Sequence, residues 1–119
     1  MPNLKKLLTK VLDSVTLKPI TVTPQVGTLI SNFSCKLGRL HVISFRIDNV
    51  TSTEMGFIVA TIPTGYAPPS EVPCIAQIPS YVGSATPYGW INTSAVVRVG
   101  NTTGGLSNAS IRIVGFYYK

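Results

Sequence analysis

Charged side chains are scarce in this sequence of 119 residues. Only 12% of the residues are Asp, Glu, Lys or Arg, which is about half of the usual share, and the acids number four. The sequence also has one histidine and two cysteines. Catalytic and metal sites need several acid, imidazole or thiol groups close together, and few are present here. We therefore expect neither an enzyme nor a protein with a metal or another cofactor.

The few groups suited to catalysis are placed apart. His41 and Asp48 fall in one predicted strand at an odd separation, which points their side chains to opposite faces of a sheet. Glu54 and Glu71 fall in predicted loops, so a carboxylate pair for glycoside hydrolysis would have to combine Asp48 with one of them. The sequence contains no Gly-x-Ser-x-Gly elbow that would mark a serine hydrolase.

The basic residues are spread rather than clustered. The net charge is +6, with four lysines before residue 19 and the remaining cations distributed over the strands and turns. A nucleic-acid interface needs clustered cations with interleaved aromatics, so we expect no nucleic-acid partner. No apolar run reaches transmembrane length, so we expect no membrane insertion. Cys35 and Cys74 fall in strand-like segments, where buried free thiols are a better interpretation than a disulfide.

Residues 3–15 carry the helical periodicity of the chain. Leu4, Leu8, Val11 and Val15 follow a four-three-four spacing, which places them on one stripe of an amphipathic helix. A helix of about 13 residues is marginally stable alone, so the stripe must be buried. It packs either on the chain's own β-domain or against the same helix in neighbouring copies. The low charge content favours self-association, and we predict a homotrimer held by these four residues.

After Pro19 the apolar pattern changes to a period of two, which is typical of strands. Two long strands are predicted at 26–37 and 40–50, joined by a turn at Gly38 and Arg39. In the second strand, Ile43, Phe45 and Ile47 should face the core. Further strands are predicted near residues 56–62, 72–78, 87–93, 95–100 and 109–118.

Three prolines and a glycine interrupt the pattern between Ala60 and Pro69. Proline donates no hydrogen bond to a strand ladder, so a strand must end here. We predict a rigid corner formed by Pro63, Gly65 and Tyr66. A turn beside a proline often requires a left-handed residue, so we expect Gly65 to take a positive φ.

Seven or eight short strands with polar turns predict an all-β fold. The expected architecture is an antiparallel β-sandwich or jelly-roll-like domain preceded by a short N-terminal α-helix. We predict that residues 1–18, which comprise the helix and linker residues, form an oligomerisation segment. The linker candidate is the stretch from Thr16 to Pro19. The β-sandwich head domain then occupies residues 19–119.

Five short motifs occur in an order that resembles a known family. They are Ile62-Pro63-Thr64-Gly65-Tyr66-Ala67-Pro68, Gly89-Trp90-Ile91, Ala95 to Val99, Asn101 to Gly105 and Ile111 to Tyr118. In this order they resemble the small β-sandwich head domains at the ends of bacteriophage tail fibres and baseplate proteins. The resemblance covers roughly residues 26–119. It implies a receptor-binding head domain that is part of a virion.

Aromatic side chains are the remaining candidates for ligand contact, because they can stack on sugar rings beside neutral polar groups. Trp90 and Phe116 fall in predicted strands and are expected in the core, and Tyr66 is expected to fix the corner. Tyr81 and Tyr88 fall in the predicted loop 79–89, which also contains the small residues 83–85. We predict that these two tyrosines contact a ligand.

Together these features predict a non-enzymatic phage or prophage fibre or decoration protein. It would be made in the bacterial cytoplasm, assemble with other virion proteins and bind a polysaccharide on the host cell surface. The alternative is a purely structural capsid or head-fibre protein without a ligand. A small hydrolase ranks behind both.

Overall fold

The fold consists of an N-terminal helix and ten strands in the part of the chain that the computed structural model describes. That part comprises residues 2–53, 56–81, 86–100, 102 and 105–119, and for residues 2 and 12–15 it comprises the backbone alone. The helix α1 spans Pro2–Val15. The strands are β1 (Leu17–Pro19), β2 (Thr23–Pro24), β3 (Thr28–Asn32), β4 (Cys35–Leu37), β5 (Leu40–Ser52), β6 (Phe57–Thr61), β7 (Val72–Gln77), β8 (Tyr88–Ile91), β9 (Val96–Gly100) and β10 (Leu106–Tyr118).

All ten strands belong to one antiparallel sheet that curls into a half-barrel. Their order is β1-β4-β5-β10-β7-β8-β9-β6-β2, and β3 pairs with β5 beside β4. Strand β7 joins the two halves, because its residues 75–77 pair with β10 and its residues 72–74 pair with β8. The predicted antiparallel all-β fold with a short N-terminal helix is confirmed, with the strands in one curled sheet rather than in two clear layers.

The segment between β1 and β2 crosses the open side of the curled sheet. These two strands lie at opposite ends of the strand order, so residues 20–22 run from one edge to the other. Ile20 and Val22 are buried on the way. The side-chain amide of Asn32 donates to the carbonyl of Ile20 at 2.8 Å, which anchors the crossing to the sheet. These two aliphatic side chains thereby cover the core on the open side of the curled sheet.

The core forms from alternate positions of the two longest strands, β5 and β10. Ile43, Phe45 and Ile47 of β5 are buried, as the sequence pattern predicts. In β10 the buried alternation includes Ile111 and Ile113, which lie opposite Ile47 and Phe45. The intervening residues of both strands face outwards, because successive side chains of a strand point to opposite faces.

Two predicted segment boundaries are wrong. Leu17–Pro19 is not linker but strand β1, which pairs with β4, so the predicted domain boundary at residue 18 falls inside a strand. The predicted strand 26–37 is divided into β3 and β4. Asn32 accepts a hydrogen bond from the backbone N–H of Ser34 at 3.0 Å, and the hydroxyl of Ser34 accepts one from the Ser44 N–H at 2.9 Å. These side chains replace ladder hydrogen bonds and interrupt the strand.

The corner after β6 is tied to the end of β10. Thr64–Tyr66 forms a 3-10 turn in which the N–H of Tyr66 donates to the carbonyl of Pro63 at 2.9 Å. The hydroxyl of Tyr117 donates to the carbonyl of Tyr66, and Lys119 Nζ donates to the carbonyl of Gly65 at 2.7 Å. The expected positive φ of Gly65 is wrong, because a 3-10 turn needs only right-handed backbone angles.

The described side chains of the helix do not pack on the sheet of their own chain. All described side chains of α1, from residue 3 to residue 11, are exposed. Leu4, Leu8 and Val11 each expose about half of their surface, at 51%, 54% and 50%. Val15 ends the helix, and its side chain lies outside the described residues. Of the two predicted ways to bury the stripe, packing on the chain's own β-domain is therefore wrong for Leu4, Leu8 and Val11.

Candidate ligand-binding groove

An aromatic groove lies on the surface where β7 and β8 pair. It has a volume of about 380 Å³ and is lined by Glu71, Pro73, Tyr88, Gly89 and Trp90. Tyr88 and Trp90 are two residues apart in β8, so their side chains project from the same face. Their rings stack with centroids 5.2 Å apart and planes inclined by 27°. Together the two rings form one aromatic platform.

Glycine at position 100 makes room for this platform. Gly100 lies in β9 directly opposite Tyr88. A Cβ atom at Gly100 would lie 3.0 Å from the Trp90 ring and 3.2 Å from the Tyr88 ring, which is closer than normal carbon contacts. The rings therefore lie over the backbone of β9, at a distance that a side chain at this position would prevent.

Polar groups lie beside the aromatic platform. Glu71 is exposed and lines the groove, where its carboxylate offers acceptors for hydroxyl donors. Arg98 lies directly opposite Trp90 in β9, and its guanidinium donates to the carbonyl of Gly56 at 2.9 Å. The groove thus combines an apolar platform with a charged acceptor, and a positioned cation lies on the neighbouring strand. This arrangement suits a ligand that has both an apolar face and hydroxyl groups.

The structure brings only one of the two predicted ligand-contacting tyrosines to this groove. Tyr88 lines the groove with 53% of its surface exposed, although it lies in β8 rather than in a loop. Tyr81 is half-buried, packs against the core, and does not line the groove. The predicted contribution of residues 83–85 lies outside the described residues.

Sequence reasoning missed Trp90, because it assigned the aromatic residues of strands to the core. Trp90 is instead half-buried and lines the groove. The signal was present, since Trp90 shares the strand face of Tyr88. Phe116 was also expected in the core and is 67% exposed. Its neighbour Tyr117 is the buried residue of that pair, so the core prediction was wrong by one position.

The groups considered for catalysis are not brought together. His41 is buried, stacks on Tyr117 with ring centroids 5.0 Å apart, and bonds through Nδ1 to the carbonyl of Arg39 at 3.0 Å. Burial lowers the pKa of His41 below its ordinary value. Asp48 is on the outer face of β5, where hydrogen bonds from Arg46 lower its pKa. The prediction that His41 and Asp48 point to opposite faces is confirmed.

Both cysteines are free thiols, as expected, but the predicted burial is wrong for Cys35, which is half-buried. Cys74 is buried, and the apolar surroundings raise the pKa of its thiol to about 12, so it is protonated at neutral pH. Glu54 lies outside the described residues. Within the described ranges, no group of three or more His, Cys, Asp and Glu residues could hold a metal ion.

Comparison with protein-family models, curated proteins and solved structures gives no match for this chain. The resemblance to phage fibre heads therefore stays a prediction that depends on the five motifs. In the described part of the chain, no helix has the length and hydrophobicity needed to span a membrane.

Proposed function

We propose that the protein is a non-enzymatic binding protein whose aromatic groove holds a glycan, and that it acts as a phage fibre or decoration protein. The stacked pair of Tyr88 and Trp90 carries this proposal. Aromatic faces pack against the C–H-rich faces of sugar rings, while the carboxylate of Glu71 accepts hydrogen bonds from sugar hydroxyls. A volume of about 380 Å³ is in the range of small-ligand sites.

The phage assignment draws support from the motifs alone. One of them, Gly89-Trp90-Ile91, forms most of β8 and supplies two residues of the groove. In this proposal the head domain contacts a polysaccharide of the host surface, and the virion assembles from homotrimers together with other virion proteins. The helix stripe with its exposed leucines is the segment that we assign to self-association.

A purely structural function is the second candidate. The uncovered apolar side chains of α1 favour it, because they call for assembly and not for ligand binding. Under this alternative, the groove would be an ordinary surface feature. A direct binding measurement separates the two functions.

Trp90 makes this measurement site-specific, because it is the only tryptophan in the sequence. Purified protein is first screened on an array of bacterial glycans, and hits are then titrated while the tryptophan fluorescence is recorded. A glycan in the groove should shift the emission of Trp90 with saturation. Tyr88→Ala should lower the affinity about 2- to 13-fold, which corresponds to about 0.5–1.5 kcal/mol for one aromatic contact.

Phe33→Ala is the matched control, because it removes an exposed ring from the other half of the sheet. This variant should bind like the wild type. Glycan binding that survives Tyr88→Ala unchanged would disprove the groove as the site. The absence of any array hit, together with no retention on bacterial cells, would favour the purely structural function.

A further inference from the structure

The outer face of the sheet carries an exposed apolar patch at one end. We define this patch by six side chains that expose between 36% and 70% of their surface. They come from β1, β4, β10 and β7, and are Leu17, Leu37, Val114, Phe116, Tyr118 and Ile75. Phe116 and Tyr118 alone offer roughly 200–340 Å² at about two-thirds exposure, since an aromatic side chain has about 150–250 Å².

Strand register places the patch residues side by side. Tyr118 lies opposite Leu40, which lies opposite Leu37, which in turn lies opposite Leu17. Phe116 lies one row further along β10, and Val114, two rows further, lies opposite Ile75 of β7. Directly paired residues project to the same face, so the apolar side chains cover a continuous area across five strands.

The same face is mostly polar beyond the patch, where the exposed ring of Phe33 lines a groove together with Arg46, Arg112 and Val114. Arg46 donates two hydrogen bonds of 2.8 Å to Asp48, and Ser110 donates a third of 2.8 Å to the same carboxylate. Arg112 lies directly opposite Arg46. Water solvates these charged and hydroxyl groups readily, whereas the patch exposes contiguous hydrocarbon. An exposed apolar area with a polar border marks an interaction site.

The helix α1 is a second exposed apolar surface of this chain. Leu4, Leu7 and Leu8 are each more than half exposed. Thr16 is the single residue between the end of α1 and the start of β1, which is itself part of the sheet that carries the patch. Connections between a helix and a strand usually take two to six residues. One residue is too short for α1 to fold back onto its own patch.

We propose that the patch binds the α1 helix of a neighbouring copy of the same chain. The dimensions agree: 14 residues of helix are about 21 Å long, and five strands are about 19 Å wide. A helix lying across the strands covers the patch with its leucines and keeps its lysines in water. One type of contact thus buries both surfaces, whereas a seam between helices alone leaves the patch exposed.

This contact joins two different surfaces, so each copy gives its helix to one neighbour and receives a helix from another. Head-to-tail contacts of this kind form closed rings when the rotation between copies closes. A ring of three copies agrees with the homotrimer predicted from the sequence. The proposal does not depend on glycan binding by the groove, and its test is independent of any ligand.

A complementation experiment with the full chain tests the proposal. The helix variant carries Leu4→Ser and Leu8→Ser and keeps its patch, while the patch variant carries Phe116→Ser and Tyr118→Ser and keeps its helix. Light scattering should show that the wild type is oligomeric at micromolar concentration and that each variant alone is monomeric. An equimolar mixture should form a heterodimer, because the intact helix of one chain binds the intact patch of the other.

Each other outcome overturns the proposal. A patch variant that still oligomerises alone would show a seam between helices, and a helix variant that does so would show contact between patches. Two monomeric variants that form no heterodimer on mixing, or a monomeric wild type, would also disprove it.

Two checks keep the experiment decisive. Arg112→Ser changes the outer face of β10 beyond the patch and should leave the assembly as in the wild type. Thermal unfolding verifies that the variants fold. If a double variant does not, the single variants Leu8→Gln and Phe116→Gln replace it, and each should raise the concentration of half-assembly at least tenfold.

Discussion

The contact between Gly115 and Cys74 gives the sharpest stability prediction. Gly115 is buried in β10, and a Cβ atom at this position would lie 2.5 Å from the sulfur of Cys74. Comfortable contacts between non-bonded heavy atoms are about 3.5–4.0 Å, so the two groups would have to separate by about 1 Å. Overpacking of this kind costs about 1–3 kcal/mol. The alanine also lowers the conformational entropy of the unfolded chain, which stabilises the folded state by about 0.4–1 kcal/mol.

We therefore expect Gly115→Ala to lower the free energy of unfolding by about 1–2 kcal/mol. Cys74→Ala alone should cost about 1 kcal/mol, because it leaves a space the size of a methyl group. In the double variant the sulfur is gone, and the closest atom is the Cβ of residue 74 at 3.4 Å. The new methyl group then occupies the vacated space, so the double variant should lose no more than about 1 kcal/mol.

Urea unfolding of the four proteins in this cycle measures the coupling between the two positions. Gly65→Ala is the control, because a Cβ there meets no atom within 4 Å and should change stability by less than about 0.5 kcal/mol. Losses of stability in the two single variants that simply add in the double variant would refute this coupling. Additive losses would mean that the sulfur of Cys74 is not what excludes a side chain at position 115.

Two further predictions concern Gly27 and His41. In the same urea assay, Gly27→Ala should lower the free energy of unfolding by more than about 2 kcal/mol. The φ angle of Gly27 is +64°, and the new Cβ would overlap the backbone carbonyl oxygen of Asp48, which cannot rotate away. A loss below about 0.5 kcal/mol would contradict this prediction. Burial, aided by the nearby Lys36 and Lys119, keeps the pKa of His41 below its ordinary value, so the unfolded chain binds a proton that the folded chain resists. The free energy of unfolding should have its full value above about pH 7 and fall as the pH drops below about 6.5. The substitution His41→Gln should remove the part of this decrease between pH 8 and pH 5 that comes from protonation of His41.

The sequence best predicts those structural features that depend on one strand alone. Alternation in β5 correctly placed Ile43, Phe45 and Ile47 in the core, because a period of two needs no knowledge of partners. The turn at Gly38 is also confirmed, with Leu37 and Leu40 paired across it. These features depend on neighbours in sequence.

Features that depend on distant partners were not predictable in this way. Strands of two or three residues, such as β2, are too short to show alternation and exist only because an edge is available to them. The groove requires Gly100 opposite Tyr88, and no local pattern reveals that register. The misplacement of Trp90 and Phe116 has a different cause: residue type alone does not show which face of a strand an aromatic side chain occupies.

The central position of β10 has a consequence for biosynthesis. This strand lies between β5 and β7, and its pairing joins residues as distant as Leu40 and Tyr118. During translation, β5 leaves the ribosome well before its partner and has an unpaired edge until β10 follows. Contacts of such long sequence separation also form slowly after release. The nascent chain therefore passes through a state in which β5 can pair with foreign strands, and crowded polysomes increase that risk. Slower elongation would prolong this state, whereas a chaperone that shields β5 until residue 118 has emerged should raise the yield of folded protein.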